Sequence, residues 1–302
     1  MRDLCLVGIG KIARDQHVPT LRASPDFRLA ATVSREGTVE GVESFRDFGA
    51  FLEARPGVGV VSLCLPPQPR FAYAEAALRA GRHVMLEKPP GQTLAEVHRL
   101  SALAAERGLT LFATWHSRMA GGVAGARDWL KGRKVRGGTI TWREDVRHWH
   151  PGQDWVWASG GMGVFDPGIN ALSILTAILP EPCHLLSATL EVPSDRQTPI
   201  AARLTLSNGV LCDFDWRQEG PQTWDIVLDT DGGRLTLREG GGKLLVGDEE
   251  RPSDPTGEYP GLYKRLAELL GKGESDVDLA PMVLVEDALS LGERRATDAF
   301  AW

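Results

Sequence analysis

The chain has 302 residues, 42% of them hydrophobic and 25% charged, with a net charge of −6. That length suffices for about two domains, each able to bury its own core. The acidic balance offers no general attraction to nucleic acid or to an anionic membrane surface, so small molecules are the expected partners.

The first strand begins at once in "DLCLVGIG", with no room before it for a charged and then an apolar leader, and no later apolar run approaches about 18 residues. A cytoplasmic location is expected. Cys5, Cys64, Cys183 and Cys212 lie scattered in apolar, strand-like stretches without the close spacing of a metal or redox pair, which predicts core packing for all four.

From residue 3 to about 115, short β-branched runs alternate with amphipathic helices. "LCLVGIG" reads as strand, "KIARDQHVPTLRA" as helix, "FRLAATV" as strand, "FRDFGAFLEA" as helix and "VGVVSLCLP" as strand. The alternation continues through "PRFAYAEAALRAG" (helix), "HVMLE" (strand), "LAEVHRLSALAAERG" (helix) and "LTLFAT" (strand). This predicts an α/β domain built on a doubly wound parallel sheet over residues 1–118.

Beyond about residue 120, strands follow one another: "GTITWREDV", "LLSATLEVP", "AARLTLSN", "VLCDFDW", "WDIVLDT" and "GRLTLRE". Turns such as "DTDGGR" between them predict an α+β domain with an open, mainly antiparallel sheet over residues 119–302. One long helix, "GVFDPGINALSILTAIL", interrupts the strands, and helices in "YPGLYKRLAELLG" and "MVLVEDALSLGERRATDAF" close the chain, the last able to pack back on the first domain.

"GIGKIA" at residues 8–13 follows the first strand and opens the first helix. Gly8 makes the tight turn, Gly10 lets the backbone approach a pyrophosphate, and Ala13 stands where a third glycine would permit close packing. The N–H groups at the helix start, at Lys11 and Ile12, face the phosphates. After the second strand the chain reads "TVSREG". Ser34 and Arg35 suit a 2′-phosphate, which favours NADP, while Glu36 one position later leaves NAD open. Pro66, in "CLPPQPR", lies where the nicotinamide half would pass. Glu87 and Lys88, in "LEKPPG", stand at the carboxyl edge of the sheet, where ligands bind; a solvated loop lysine is the plainer alternative. The Lys88–Pro89 bond is a candidate for the cis form.

In "GTITWREDV" strand alternation puts Ile140, Trp142, Glu144 and Val146 on one face. A carboxylate on that apolar face needs partners, either the hydroxyls of a sugar or an arginine such as Arg118 or Arg147. "RHWHPGQDWVW" carries three tryptophans and two histidines in eleven residues, a composition suited to stacking on sugar C–H faces. His148 and His150 with Asp145 and Asp154 also raise a metal site, but the spacing is weak and no metal is expected. His116, after the fifth strand, is either a satisfied core histidine or a substrate contact at the binding edge.

"GIGKIA", "EKP" and "DPGIN" together resemble the glucose–fructose oxidoreductase and inositol dehydrogenase family over essentially the whole chain. The longer words "HVMLEKPPG", "LFATWHSR", "RHWHPGQDWVW" and "GGMGVFDPGINALSI" resemble its members that oxidise L-arabinose or D-galactose. The resemblance implies NAD(P)-dependent oxidation of an aldopyranose at its anomeric carbon to an aldonolactone, and a homodimer or larger homo-oligomer formed through the open sheet. It puts Lys88, Asp166 and Asn170 at the reacting centre, with His116, Glu144, Trp149, His150 and Trp224 around the sugar. Histidine is commoner in that family where Asn170 stands. Asp166, followed by Pro167, also fits a purely structural helix N-cap. Ring-alcohol oxidation, or a non-catalytic NADP-binding sensor, remain the alternatives.

Overall fold

Leu4–Val7, Val60–Leu63 and Val84–Leu86 are buried along their whole length, as central strands of a parallel sheet covered on both faces must be. In the computed structural model, which describes residues 1–302, they belong to the first of two units. This unit carries a six-stranded parallel sheet ordered β3-β2-β1-β4-β5-β6. Its strands are β1 (Arg2–Val7), β2 (Phe27–Val33), β3 (Glu43–Phe45), β4 (Val60–Leu63), β5 (His83–Leu86) and β6 (Leu111–Ala113). The helices are α1 (Val18–Ala23), α2 (Phe48–Ala54), α3 (Pro67–Arg79) and α4 (Leu94–Glu106). Thr93 and Glu96 close a reciprocal capping box at the start of α4.

The first helix is not uniform. A π-type turn spans Ala13–His17 before α1, at the point where Pro19 has no N–H to donate to the turn behind it. The doubly wound parallel sheet expected from the alternating pattern is present; β3, only three residues long, was not expected and takes Phe45, the first residue of the stretch that read as helix.

The first unit also contains residues 258–278, which the sequence reading placed with the rest of 119–302. Helix α8 (Glu258–Lys272) buries Tyr259, Leu262, Tyr263, Leu266 and Leu269, a single apolar stripe. Asp276 then extends the sheet: its carbonyl accepts from Ala113 N–H at 2.9 Å and its N–H donates to Leu111 at 3.0 Å.

The second unit, residues 117–257 and 279–302, carries a nine-stranded sheet ordered β14-β13-β12-β11-β7-β10-β9-β8-β15. Its strands are β7 (Val135–Arg143), β8 (Leu185–Pro193), β9 (Ala201–Leu206), β10 (Val210–Asp215), β11 (Thr223–Thr230), β12 (Gly233–Arg238), β13 (Lys243–Val246), β14 (Glu249–Arg251) and β15 (Glu293–Thr297). The β7–β10 and β8–β15 pairs are parallel and the other neighbours antiparallel, so the sheet is mixed but mainly antiparallel. Its helices are α5 (Val123–Leu130), the single turn α6 (Val146–Trp149), α7 (Phe165–Ile178) and α9 (Ala280–Leu291).

Helix α7 is apolar nearly all round and correspondingly buried. It approaches β10 so closely that a Cβ on Gly168 would stand 3.2 Å from the Phe214 ring.

The closing segment departs from the single helix expected over residues 282–300. Helix α9 stops at Leu291, and β15 pairs in parallel with Thr189–Pro193 of β8. Gly292 makes the change of direction: a Cβ there would lie 2.4 Å from the Ala288 carbonyl and 3.0 Å from Leu190. Strands β13 and β14 were also missed, since the wholly exposed "EER" of β14 has no apolar face to betray it. Cys5 and Cys212 are core residues, but Cys64 and Cys183 are only partly buried. No helix is long and apolar enough to cross a membrane.

Candidate active site

The strand order reverses between β1 and β4, and in open parallel sheets the crevice beyond such a switch point is where ligands bind. Gly8 follows β1 at φ +87°, and a Cβ there would sit 3.0 Å from the Leu65 backbone nitrogen at the exit of β4. Only glycine fits. At Gly10 a Cβ would meet nothing within 4 Å. The backbone at the helix start is therefore open to a close-approaching group, and Ala13 behind it is fully buried. Gly8, Gly10, Lys11 and Ile12 are the residues that could hold the pyrophosphate of a dinucleotide here. The Lys11 ammonium is paired with Asp15 on the same turn.

At the end of β2, Ser34 Oγ accepts from Gly37 N–H at 3.1 Å, closing a tight loop in which Arg35 and Glu36 are exposed. Arg14 reaches this loop and donates to the Thr38 carbonyl at 3.2 Å. Sequence reading had not singled out Arg14.

Glu87 is buried in a network that sequence reading also missed. Its Oε1 lies 3.0 Å from His17 Nε2 and accepts from Tyr259 Oη at 2.9 Å, while Oε2 accepts the backbone N–H of Lys88 at 2.9 Å. His17 Nδ1 meets Tyr263 Oη at 2.7 Å. Burial opposes ionisation of Glu87, but hydrogen bonding to His17 and the charges of His17, His116 and Arg70 outweigh it and hold the carboxyl well below its usual range. Burial likewise opposes protonation of His17, and its contacts with Cys64, Tyr263 and Glu87 overcome that, raising its affinity for a proton.

Arg70, also buried, donates to the carbonyls of Leu65, Glu87 and Pro89, tying the exit of β4 to that of β5. The half-buried Lys88 lies on this braced segment, and the Lys88–Pro89 peptide is cis. His116, just after β6, places Nδ1 2.9 Å from Glu258 Oε2 and stacks on Tyr259 at 5.7 Å. These residues explain where Lys88 and His116 stand: both follow neighbouring parallel strands and share the carboxyl edge.

In the second unit Ile140, Trp142, Glu144 and Val146 are all buried, as the alternation required, although β7 itself ends at Arg143. Trp142 and Trp224 pair across the β7–β11 ladder and stack at 5.7 Å. Two indoles donate to Glu144: Trp216 Nε1 to Oε1 at 3.2 Å and Trp224 Nε1 to Oε2 at 3.0 Å. Arg147 is engaged elsewhere, with Asp145 and Glu219, and Arg118 donates to the Ser173 carbonyl and Thr176 Oγ1. Trp149 leans on Trp224 at 5.3 Å.

Asp166 is not a helix cap. Helix α7 begins at Phe165 behind Val164, and the Asp166 carboxylate turns to His150, Oδ2 to Nε2 at 3.3 Å. The His150 ring packs on Trp216 at 5.2 Å, so the pair adjoins the Glu144 cluster. Asn170 stands one turn beyond Asp166 on α7, half-buried. The exposed His148 packs its edge on Trp149, and Asp145 binds Arg147. The cluster of Glu144, Trp149, His150, Asp166 and Trp224 can bind hydroxyls, stack on an apolar ring face and hold a proton.

Residues 3–114 match the oxidoreductase family described by its NAD-binding Rossmann fold, GFO/IDH/MocA. A galactose 1-dehydrogenase of Pseudomonas fluorescens is 42% identical over 305 aligned residues, covering 98% of each chain. The crystal structure of a D-galactose-1-dehydrogenase protein from Rhizobium etli aligns with a TM-score of 0.94 at 51% identity, over 99% of this chain and 97% of that one. A point mutant of KijD10, a 3-ketoreductase from Actinomadura kijaniata solved with TDP-benzene and NADP, aligns at TM-score 0.83 but 20% identity over 98% of this chain and 99% of its own, and shares the fold alone. With identity of that extent from end to end, and the glycine turn at the switch point, the chain belongs to the GFO/IDH/MocA oxidoreductase family, whose fold carries the NAD-binding Rossmann domain.

Proposed function

We propose that the protein oxidises an aldopyranose at its anomeric carbon to the aldonolactone, with D-galactose and L-arabinose as the candidate sugars and NADP as the preferred cofactor. The observation that carries this reading is the buried Glu144 with its two indole donors beside the His150–Asp166 pair, in a chain 42% identical throughout to a galactose 1-dehydrogenase. A buried carboxylate edged by stacked indoles suits a ligand that offers hydroxyls on its rim and C–H groups on its face. Trp149 and Trp224 supply the stacking surface, and Glu144, His150 and His116 read hydroxyls.

The nicotinamide, when bound, accepts the hydride. Gly8, Gly10, Lys11 and Ile12 hold the pyrophosphate, Ser34 and Arg35 the 2′-phosphate, and Pro66 borders the nicotinamide half. Glu87 acts by fixing the Lys88 peptide through the N–H it accepts. The Lys88 ammonium hydrogen-bonds the anomeric oxygen and stabilises charge that develops there. Asp166 takes the proton from the anomeric hydroxyl. Asn170 orients a sugar hydroxyl through its amide, since an amide is no base.

L-arabinose matches D-galactose except for one exocyclic group, and rejecting such a group is commonly worth ~1–3 kcal/mol, so overlapping use of the two sugars is expected. Incubating the protein with a panel of aldoses and inositols, with NADP or NAD, and following reduced-cofactor absorbance tests the reading. Reduction with inositols alone would replace it with ring-alcohol oxidation. Self-association through the open sheet is part of the proposal, supported by Leu186 and Leu211, apolar side chains 61% and 51% exposed on that sheet. Light scattering on the purified protein measures it.

A further inference from the structure

We infer that His150 is the group on which the proton released in the oxidation comes to rest, received through Asp166; this rests on the aldose oxidation proposed above. Two nitrogens of one ring have two different partners. Nε2 faces Asp166 Oδ2 at 3.3 Å, and Nδ1 faces Gln153 Oε1 at 3.3 Å. An amide oxygen only accepts, so Nδ1 carries the hydrogen in that contact, and in the neutral ring Nε2 is left with its lone pair toward the carboxylate.

A lone pair opposed to an ionised carboxylate is an unfavourable contact until one proton enters it. The pair is therefore built to take up one proton, and it sits in a partly dry setting: the two side chains are 14% and 10% exposed, and Trp216 and Trp155 pack on the ring at 5.2 and 6.4 Å. Ordinary imidazole is also a stronger base than an ordinary aspartate by roughly two to three powers of ten, so a proton delivered to the carboxylate is better held on the ring.

The step balances without any further reactant. The anomeric O–H bond breaks and its proton goes to an Asp166 oxygen as the C–H electron pair leaves with the hydride. The proton then passes from Asp166 to His150 Nε2, giving an imidazolium beside an ionised carboxylate, and leaves later to solvent. Asp166 returns to the ionised form that the next turnover needs, while His150 acts through it rather than on the reacting atoms.

Two measurements on the full-length protein test this. The first uses no sugar or cofactor: ¹⁵N NMR of labelled histidines, with the His150 signals identified by their loss in His150→Gln. A proton shared between His150 and Asp166 predicts that Asp166→Asn changes the protonation of the His150 ring, and His150 signals indifferent to Asp166→Asn across the pH range would overturn the inference. The second is kinetic: His150→Ala should lower kcat about 100-fold, the low end for general acid–base catalysis, with a far smaller change in KM for the sugar, and added imidazole should restore part of the loss. A rise in KM with kcat intact would make His150 a binding residue only and sink the proposal. A wild-type protein that oxidises no aldose would remove the sugar reading, and this role with it, and the NMR result would then show whether the shared proton exists on its own.

Discussion

His17 Nε2 lies 3.0 Å from Glu87 Oε1 with both side chains buried, joining the turn after the glycine loop to the strand exit that carries Lys88. Breaking a buried pair by removing one partner commonly costs 3–5 kcal/mol, because the other charge stays behind unpaired, so His17→Gln should be clearly destabilised in urea. The cost should depend on pH. The folded His17 binds its proton more tightly than its ordinary value of 6.5, so its contribution is complete below that value and is lost as pH rises through the higher folded value. Glu87, held below its ordinary value of 4.5, contributes above that value and is lost in acid. The gap in urea midpoint between wild type and His17→Gln should be widest at about pH 5.5 and narrow toward pH 9. A gap that stays constant over that range would mean the pair is not ionised.

Arg35 is exposed on the loop closed by Ser34 Oγ and Gly37, where a 2′-phosphate would find it unencumbered. Arg35→Ala should weaken NADP by about 1.5–3 kcal/mol, the scale of a hydrogen bond to a charged group, and leave NAD almost unchanged. Equal losses with both cofactors, measured by titration or by KM, would show that Arg35 does not read the phosphate.

Lys88 stands on a segment braced by Glu87 and by Arg70, so its substitution should not disturb the backbone around it. Lys88→Ala should cut kcat about 100-fold or more, as removal of one donor to a developing oxyanion does, while NADP affinity stays within a few-fold. Near-normal turnover would remove Lys88 from the mechanism.

Asp166 and Asn170 lie one turn apart on α7, and Asp166 is occupied with His150 rather than with capping the helix. Asn170→Ala and Asp166→Ala should fold and bind cofactor yet lose most turnover, with Asp166→Asn little better than Asp166→Ala, because an amide takes no proton. Wild-type turnover in Asp166→Asn across the pH range would require another route for the proton.

Much of this protein is legible from local pattern. Strand and helix periods, with the glycine turn after the first strand, determined the doubly wound sheet, because its central strands are buried on both faces and read as continuous apolar runs between the helices. The period of two in "GTITWREDV" likewise determined that Glu144 is buried. The partners of that carboxylate were another matter. Trp216 and Trp224 lie 72 and 80 residues away, and only the register of β7 against β10 and β11 brings their N–H groups to it.

The return of residues 258–278 to the first unit, and with it the His17–Glu87–Tyr259–Tyr263 network, was decided in the same way. His17 is 70 residues from Glu87 and 246 from Tyr263. A helix stripe shows that it will be buried but not against which sheet, and a polar side chain takes its partner only once packing has brought two distant segments within hydrogen-bond reach. The pairing of His150 with Asp166 was settled by that packing too: "DPGIN" is compatible with a helix cap or a reacting carboxylate, and the loop carrying His150 decided that the carboxylate faces an imidazole instead of its own helix.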